Sequence, residues 1–497
     1  MFNRMLNLMK KIRFVTLLAA SQFVLMGYAQ TPQFDLSDYK LPELKRHALV
    51  TWFDLSGQNS SFKTPSILGS PARKFTGNSY DTNLLTHYSY YQNSLTKQME
   101  VDGIFRLNYN YGNNKEDKQL TQERYNIWPE FDFKVVNRNY YNSKKFVETD
   151  FFSSYSYSRI YSSENSSSYS SKSDFRDHRF IAYVPIKVGI GRIEEVQDAR
   201  HALYIFDELA KQGRVATTLN NEDVLAFARL ISKLKNKRFF DSRIRKIYEI
   251  ETIDSFLVAN DYVTESDARY FTTLNDFWLY GGHPVRKSGT RFSGGIYPGY
   301  YFYDYDRLYN YGYEDEKSDR IDAFLLNAGF ELNYEKPINR YWQNSIALEG
   351  FGGTVVGKVK SSNDKVSVPN LQLGYKQTIG FYPNTRTDVT FSYGAKFVQL
   401  FGNSDETSDK ISPEALGARF MSNLGVNYYV SPRVMLSVKA SLDYIYQDSK
   451  NNEVINFNKR DGNSLLVDLL TDHSYSYFYL TNQFASYFQV SLSYSIF

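Results

Sequence analysis

Several residue types and patterns are missing from this chain of 497 residues. It contains no cysteine, which excludes disulfides, a thiolate metal site and a lipid anchor on an N-terminal cysteine. After residue 29 there is no run of eighteen or more apolar residues, so the sequence predicts no transmembrane helix. It also lacks a His-Glu-x-x-His zinc motif and a Gly-x-Ser-x-Gly nucleophile turn. We therefore expect no cofactor and no bound metal, and we expect that the protein is not an enzyme.

The first 29 residues have the pattern of a secretory signal peptide. Four basic and no acidic residues surround or precede an apolar stretch over 14–26, and small residues end the segment at Gly27 and Ala29. We expect cleavage after Ala29. Without the leader, the 58 Lys and Arg fall by four and equal the 54 Asp and Glu. A chain without net charge gives no signal for binding nucleic acid.

Apolar and polar residues alternate along most of the chain after position 46. Phe324, Leu326 and Ala328 alternate with polar residues such as Asn327, and comparable rows recur at several other places. A period of two is the pattern of a β-strand with two different faces. With the turn residues between them, the rows predict fourteen strands, over 46–56, 80–92, 97–111, 124–136, 145–160, 178–192, 289–304, 321–337, 341–356, 369–383, 386–402, 416–430, 433–448 and 481–497.

The connections between the predicted strands alternate in length. Tight turns at 94–96, 338–339, 384–385 and 431–432 would lie at one end of the sheet. We expect long polar loops at the other end, over 112–123, 162–173, 305–320, 357–368, 403–415 and 449–480. Successive connections of antiparallel strands alternate between the two ends of the sheet. Counted back from the last of fourteen strands, every tight turn falls at the same end.

These features resemble the outer-membrane β-barrels of Gram-negative bacteria, including 43 Tyr, 37 Phe and a last strand that ends at Phe497. The resemblance implies an all-β transmembrane barrel of about 14 antiparallel strands (12–16 possible) in the cell outer membrane. It implies contact with outer-membrane lipid and lipopolysaccharide, insertion by barrel-assembly machinery, and tight turns in the periplasm. The alternative is a soluble all-β protein.

One connection differs from all others. Over 193–284 the spacing of apolar residues changes from two to three and four, as in Val196, Ala199 and Leu203. Four amphipathic helices are predicted, the last opening at Thr264, and they can pack as a small all-α insertion in the periplasm. The predicted organisation is a signal peptide over 1–29, a periplasmic segment over 30–45, barrel over 46–192, insertion over 193–284, and barrel over 285–497. The stretch 189–200 with these helices also resembles uncharacterised exported proteins of the Bacteroidetes type.

The helical insertion carries a basic stretch. It could contact an anionic membrane leaflet or attract an anionic solute, or it could be a solvated helix face. Its members are Arg229, Lys233, Lys235, Lys237, Arg238, Arg243, Arg245 and Lys246.

The polar phase of the strands suggests a lumen. We expect its lining to include Arg106, Asn108, Asn110, Lys134, Asn327, Glu331 and Asn333. A porin-like channel or passive transporter for a small solute is the first hypothesis. The second is a structural or assembly barrel whose helical insertion docks a periplasmic protein partner.

Three short motifs have weaker functional interpretations. The dipeptides Asp177-His178 and Asp472-His473 resemble, in residue type alone, the Asp and His of omptin-type barrel proteases, but chance pairs in polar loops explain them better. The Gly189-x-Gly191 pair precedes a helix without the third glycine of a nucleotide site, and it suggests a bend in the chain. The acidic segments 314–316 and 405–406 are either solvated loop tips or places for divalent ions.

Overall fold

The computed structural model describes residues 34–64, 73–116, 120–166, 168–215, 220–236, 242–280, 285–310, 314–360, 365–401, 410–411, 415–431, 434–449 and 482–494. From Leu36 onward these residues belong to one compact unit. The predicted signal peptide lies outside the described residues, as do Phe497 and the Asp472-His473 pair.

The described residues form sixteen strands, most of them long. Their bounds are β1 Leu44–Thr64, β2 Arg73–Asn93, β3 Lys97–Glu116, β4 Leu120–Tyr140, β5 Lys145–Ser166, β6 Ser170–Tyr183, β7 Ile186–Glu195, β8 Lys287–Asn310, β9 Glu314–Pro337, β10 Trp342–Val359, β11 Lys365–Phe381, β12 Thr387–Leu400, β13 Lys410–Ile411, β14 Ala415–Ser431, β15 Val434–Ser449 and β16 Asn482–Tyr494.

All but two of these strands follow one another in chain order around a single antiparallel sheet. β6 and β7 share one position between β5 and β8. The strand is interrupted at Val184 and Pro185, and after the interruption it pairs with the same two neighbouring strands. β13 is a two-residue strand that pairs in parallel with β11. The sheet therefore has fourteen strand positions from β1 to β16, which confirms the predicted barrel of about 14 antiparallel strands.

The strands reach much further than the sequence pattern predicted. β8 and β9 pair continuously from Gly289 to Asn310, and β3 and β4 pair from Lys97 to Glu116. The predicted long loops over 112–123, 162–173, 305–320 and 357–368 are therefore largely paired strand, and this expectation was wrong. A bilayer needs only about 9–11 residues per strand. In the extensions, as over 314–320 of β9, both faces carry polar residues, so the alternation that marks a strand in the sequence disappears while the pairing continues.

The apolar face of the sheet is its outer face. In β7, Ile186, Val188 and Ile190 are 48%, 65% and 49% exposed, whereas Lys187 between them is 3% exposed. Phe324 and Leu326 in β9 are likewise exposed on the outside. This arrangement is the reverse of a water-soluble sheet protein, in which the apolar side chains would be covered.

The inner face is partly filled by apolar packing between distant strands. Tyr297 of β8 packs with Phe351 of β10 and Val398 of β12, and Ile445 of β15 packs against the same group. A neighbouring group joins Ile181 of β6 to residues of β8, β9 and β10. Contacts between strands so far apart in the order show that the sheet curves round on itself like a barrel.

The chain between β7 and β8 forms the helical insertion. Its helices are α1 Gln197–Lys211, α2 Asn221–Lys235, α3 Ser242–Ala259 and α4 Ala268–Tyr280. α2 begins with a capping box, in which Asn220 accepts from the Asp223 amide and Asp223 accepts from the Asn220 amide. None of the helices in the described residues is long and apolar enough to cross a membrane.

The last helix begins later than the sequence predicted. Its first turn is capped by Asp267, which accepts from the Tyr270 amide at 2.8 Å. Thr264 lies outside the helix, and its hydroxyl instead donates to the Gly213 carbonyl. Aspartate is as strong an N-cap as threonine. Asp267 also forms an ion pair with Arg214 at 2.7 Å.

Candidate functional site

A polar cavity of about 2030 Å³ lies inside the curved sheet. Its walls come from the inner rows of β1 to β10. β5, for example, contributes Ser154, Ser156 and Ser158, which alternate with outward residues such as the exposed Tyr155. Lys235, Asn236 and Arg245 of the helical insertion line the same cavity. The insertion is thus part of the lumen wall.

A second cavity of about 630 Å³ lies nearer the opposite end of the sheet, between the paired extensions of β2 to β6. Its lining is dominated by serine, asparagine and charged side chains. Asn126 lines both cavities. The two cavities therefore meet at this residue, and together they extend along the inner face of β2 to β6.

Five of the seven predicted lumen residues line a cavity. Arg106, Lys134, Glu331 and Asn333 line the large cavity, and Asn110 lines the smaller one. Asn108 lies between Arg106 and Asn110 in the same phase of β3 and is half-buried, but it lines neither cavity.

The seventh predicted lumen residue, Asn327, is 2% exposed and packed within the sheet. A Cβ on Gly353 would approach its side-chain oxygen to 2.5 Å. The expectation that Asn327 faces an open lumen is therefore not supported by its position.

The predicted basic stretch divides into separate parts. Lys235 binds Asp198 at 2.7 Å and Arg245 binds Glu249 at 2.7 Å, and both cations line the large cavity. Three other members are exposed on α2 and α3, namely Arg229, Lys233 and Lys246. Arg243 lies within α3. Lys237 and Arg238 lie outside the described residues.

Charged side chains from six strands meet in the part of the large cavity closest to the insertion. At the centre, the ammonium of Lys187 contacts the carboxylates of Glu148, of Asp150 at 2.8 Å, and of Glu331 at 3.2 Å. Tyr297 donates to Glu331 at 2.9 Å. Three carboxylates thus share one ammonium. The Oδ1 atom of Asp150 is buried and receives no hydrogen bond in the described residues.

Three further cations lie beside this group. Arg138 binds Glu148 and also Glu100, the latter at 3.1 Å. Lys287 and Arg291 are close enough to act electrostatically on Glu100. In the described part of the chain neither of these two cations has an ion pair of its own. We call these eight residues the inner charge cluster: Glu100, Arg138, Glu148, Asp150, Lys187, Lys287, Arg291 and Glu331.

The strands β7 and β8 bend where they leave the sheet towards the insertion. Gly191 and Gly289 have φ angles of +98° and +127°, which residues other than glycine rarely adopt. A Cβ on either glycine would lie 2.0 Å from a carbonyl oxygen of the partner strand. Past this bend, Arg192 donates to the Asn93 side chain and to the carbonyl oxygens of Ser94 and Leu95. We call the paired ends of β7 and β8 from this bend onward, residues 191–195 and 287–289, the bent stem, and through Arg192 it reaches the β2–β3 turn.

The helices are fastened to other turns at the same end of the sheet. Arg340 in the β9–β10 turn binds Asp207 of α1. Arg386 in the β11–β12 turn binds Asp276 of α4 at 2.8 Å and lies over the ring of Tyr280. Because the stem reaches the β2–β3 turn and the helices reach the β9–β12 turns, the insertion covers the mouth of the barrel at this end.

A buried arginine lies at the centre of this attachment. Arg286 is fully buried and donates to the carbonyl oxygens of Asn339, Arg340 and Trp342 at 2.6–2.9 Å. Burial and the neighbouring Arg200 lower the pKa of Arg286 to about 9. The guanidinium is nevertheless charged at neutral pH, and its N–H groups donate hydrogen bonds to the β9–β10 turn.

The segment before β1 completes the closing layer. Leu36, Tyr39 and Leu41 are buried, and the Tyr39 hydroxyl lies 2.6 Å from the Ser232 hydroxyl of α2. Asn93 donates to the Leu41 carbonyl. Burial raises the pKa of Tyr39 well above its ordinary value. We call this segment, the bent stem and the four helices together the floor of the barrel.

Asp177 and His178, which resemble a protease pair in residue type alone, lie on opposite faces of the sheet. Adjacent strand residues face opposite sides of a sheet. Asp177 accordingly lines the cavity, whereas His178 lies 2.9 Å from the hydroxyl of Tyr155, which is exposed on the outside. In the described residues no group of three His, Cys, Asp or Glu side chains is arranged to hold a metal ion.

Sequence reasoning missed most of the inner charge cluster and all of the floor contacts. A signal existed for Lys187, which stands between the outward apolar residues Ile186 and Val188 and must therefore face inward. Arg286 gave no such signal, since it lies outside any periodic segment. Its partners are backbone carbonyls more than fifty positions away.

Comparisons with known proteins give only structural likenesses. No protein-family model matches the chain, and no curated protein sequence matches it. The translocator domain of the autotransporter NalP from Neisseria meningitidis is similar, with 9% identity over 84% of this chain and 95% of that one and a TM-score of 0.24.

The Pseudomonas putida toluene transporter TodX is also similar, with 7% identity over 82% of this chain and 86% of that one and a TM-score of 0.27. The deltaS2 mutant of the TodX monoaromatic hydrocarbon channel has 9% identity over 80% of this chain and 83% of that one, with a TM-score of 0.23. Likeness at this level carries no weight for function.

Proposed function

We propose that this chain is an outer-membrane barrel that passes a small polar solute through its lumen, and that the floor closes the periplasmic end. The proposal assigns no catalysis and no cofactor. It includes insertion by barrel-assembly machinery and contact with lipopolysaccharide, as expected for a barrel in this membrane. Binding of nucleic acid forms no part of it.

The membrane location is supported by the outer face of the sheet. Outward residues such as Val188, Phe324 and Phe488 are more than half exposed, and their neighbours in the same phase are also apolar. An apolar belt of this extent would drive aggregation in water, whereas lipid tails would solvate it. The tight turns and the floor would then lie on the periplasmic side.

The polar cavity carries the proposal of passage. It is lined by charged side chains, serines and asparagines from β1 to β10, and it ends at Lys235, Asn236 and Arg245 of the insertion. Since a wall of the lumen belongs to the insertion, movement of the floor would change both the length and the outlet of the path. The closed floor makes this a gated barrel, in contrast to a permanently open pore.

Conductance in planar bilayers tests this proposal. Ser156→Trp places a large side chain in the cavity and should lower the conductance of a single barrel. Tyr155→Trp, one residue away on the outer face, is the matched control and should leave it unchanged. Equal effects of the two substitutions would contradict passage through this lumen, as would the absence of any conductance when residues 197–280 are replaced by a short linker.

A structural role is the second candidate, because the insertion has apolar residues on its surface. Ile247 and Val258 of α3 and Phe271 and Leu279 of α4 are 40–53% exposed. A periplasmic protein partner that binds this surface would protect these residues. Replacing Ile247 and Phe271 by serine should then abolish function in cells without altering conductance. Normal cell behaviour of that double variant would rule out the structural role.

A further inference from the structure

We propose that the inner charge cluster is a binding site for a small zwitterion, a solute that carries both an ammonium and a carboxylate group. This inference rests on the proposed function and adds the class of solute and the place where it binds. All eight members of the cluster line the large cavity. The cluster lies beside the insertion, so a solute bound to it would lie next to the floor.

One side of the cluster has spare positive charge. Arg138, Lys287 and Arg291 surround Glu100, and only Arg138 among the three is ion-paired in the described residues. A guanidinium presents several donors in a fixed fork that matches a carboxylate. Arg291 and Lys287 can therefore receive the carboxylate of a solute without breaking an ion pair within the protein.

The other side has spare negative charge. Glu148, Asp150 and Glu331 all contact Lys187, so three carboxylates share a single ammonium. Asp150 Oδ1 is buried without a donor in the described residues, and an unsatisfied carboxylate oxygen in a partly dry site is costly. An ammonium group from a solute would supply the missing donor.

The balance of charge selects between solute classes. The cluster contains four cations and four carboxylates, so its formal net charge is zero. A lone anion would meet the carboxylates next to Arg291, and a lone cation would meet Arg138 and Lys187 next to Asp150. A solute with both groups satisfies the two sides together. Glu148 joins the sides, because it binds Arg138 and Lys187 at once.

Binding to the full chain in detergent can be measured with three related dipeptides. Glycylglycine is the zwitterion, N-acetylglycylglycine is the anion, and glycylglycinamide is the cation. Each blocked peptide loses one charge-assisted contact, so calorimetry should show glycylglycine binding about tenfold tighter than either. Equal affinity of glycylglycine and one blocked peptide would overturn the inference, as would the absence of binding by all three.

Variants assign the two halves of the site. Arg291→Gln should weaken binding of glycylglycine and N-acetylglycylglycine by about tenfold and leave glycylglycinamide unchanged, and Asp150→Asn should show the opposite pattern. Lys287→Gln and Glu331→Gln are second variants for each side, in case the first ones fail to fold. Lys134→Gln, a cavity cation outside the cluster, is the control and should change nothing.

Bilayer conductance of the same preparations separates the two proposals. Conductance without a preference for the zwitterion would contradict the proposed binding site and would still support the proposed channel. Zwitterion binding without conductance would support the site and contradict passage. If Lys134→Gln weakened binding as much as Arg291→Gln, the preference would arise from the general charge of the lumen, and the assigned site would be wrong.

Discussion

Arg386 donates to Asp276 at 2.8 Å and thereby joins the β11–β12 turn to the last helix of the insertion. Both side chains are about 40% exposed, so water and salt weaken the pair. With the Arg340–Asp207 pair, it holds the helices beneath the barrel mouth. These two ion pairs at the edge of the floor act together with the buried Arg286 at its centre, the Arg192 contacts with the β2–β3 turn and the contacts of the segment before β1.

Weakening the Arg386–Asp276 and Arg340–Asp207 pairs should raise the fraction of time that the lumen conducts. The exposed Arg386–Asp276 pair contributes about 0.2–1 kcal/mol, so Asp276→Asn should raise the open fraction about 1.4- to 5-fold. Asp207→Asn, whose partner Arg340 is only 13% exposed, should raise it at least as much. Single-barrel recordings measure this fraction. Asp306→Asn, at an exposed position in β8 far from the floor, is the control. In 1 M salt the native chain should approach the double variant, and an unchanged open fraction at both salt concentrations would contradict the role of these pairs.

Removing the buried arginine should have a larger effect. Arg286→Met removes the guanidinium donor to the carbonyl oxygens of Asn339 and Arg340, while the Trp342 carbonyl oxygen still accepts from the Ile338 amide, and this loss should destabilise the attached insertion by about 2–4 kcal/mol. Limited proteolysis of the refolded chain would show faster cleavage within the insertion. The exposed Arg307→Met is the matched control, with an effect within about 0.5 kcal/mol. Equal cleavage rates for the two variants would show that Arg286 does not hold the floor.

The bend in the stem should require glycine. Gly289→Ala forces a side chain into a φ of +127° against the Arg192 carbonyl oxygen, and the backbone strain alone costs about 1–3 kcal/mol. Gly112→Ala in β3 has no atom within 4 Å of the added Cβ and serves as the control. Heating in detergent should melt the first variant earlier than the native chain and leave the second unchanged. If Gly289→Ala melted at the same temperature as the native chain, the bend would not require glycine.

Acid should loosen the insertion through Asp267. The Arg214 guanidinium and the Tyr270 amide lower the pKa of Asp267 to about 2 from its ordinary 3.8. Because the folded-state pKa is the lower one, this contribution to stability is fully present above pH 4 and is lost as the pH falls towards 2. Helical circular dichroism of the native chain should decline over that range. Asp267→Asn keeps the cap and loses the charge, so its signal should change less with pH, and an identical pH profile for the two would contradict the assignment.

The sequence was sufficient for features that depend on one strand or one helix. The alternation around Phe324 and Leu326 predicts which face is apolar, and the spacing of Val196, Ala199 and Leu203 predicts α1. Both patterns arise because the two sides of a single element meet different surroundings. The number of strands follows from the same reasoning, because each strand of the sheet repeats the pattern.

The remaining features depend on register between elements, which the pattern does not contain. Lys187 meets Glu148 and Glu331 only because β7 is paired with β5 and β8 in one particular register. Arg192 and Arg286 bind turns whose positions follow from the curvature of the whole sheet. The paired extensions of β8 and β9 were missed for another reason, since both of their faces carry polar residues and the alternation is lost.

The central claim is that the apolar face of the sheet meets lipid and that the charged face lines a lumen filled with water. The absence of cysteine in the native chain allows a direct test with single cysteines at positions 154 to 158 of β5, reconstituted in liposomes. A water-soluble maleimide should label Ser154→Cys, Ser156→Cys and Ser158→Cys and spare Tyr155→Cys and Tyr157→Cys. Uniform labelling of all five positions, or labelling in the opposite phase, would contradict the account.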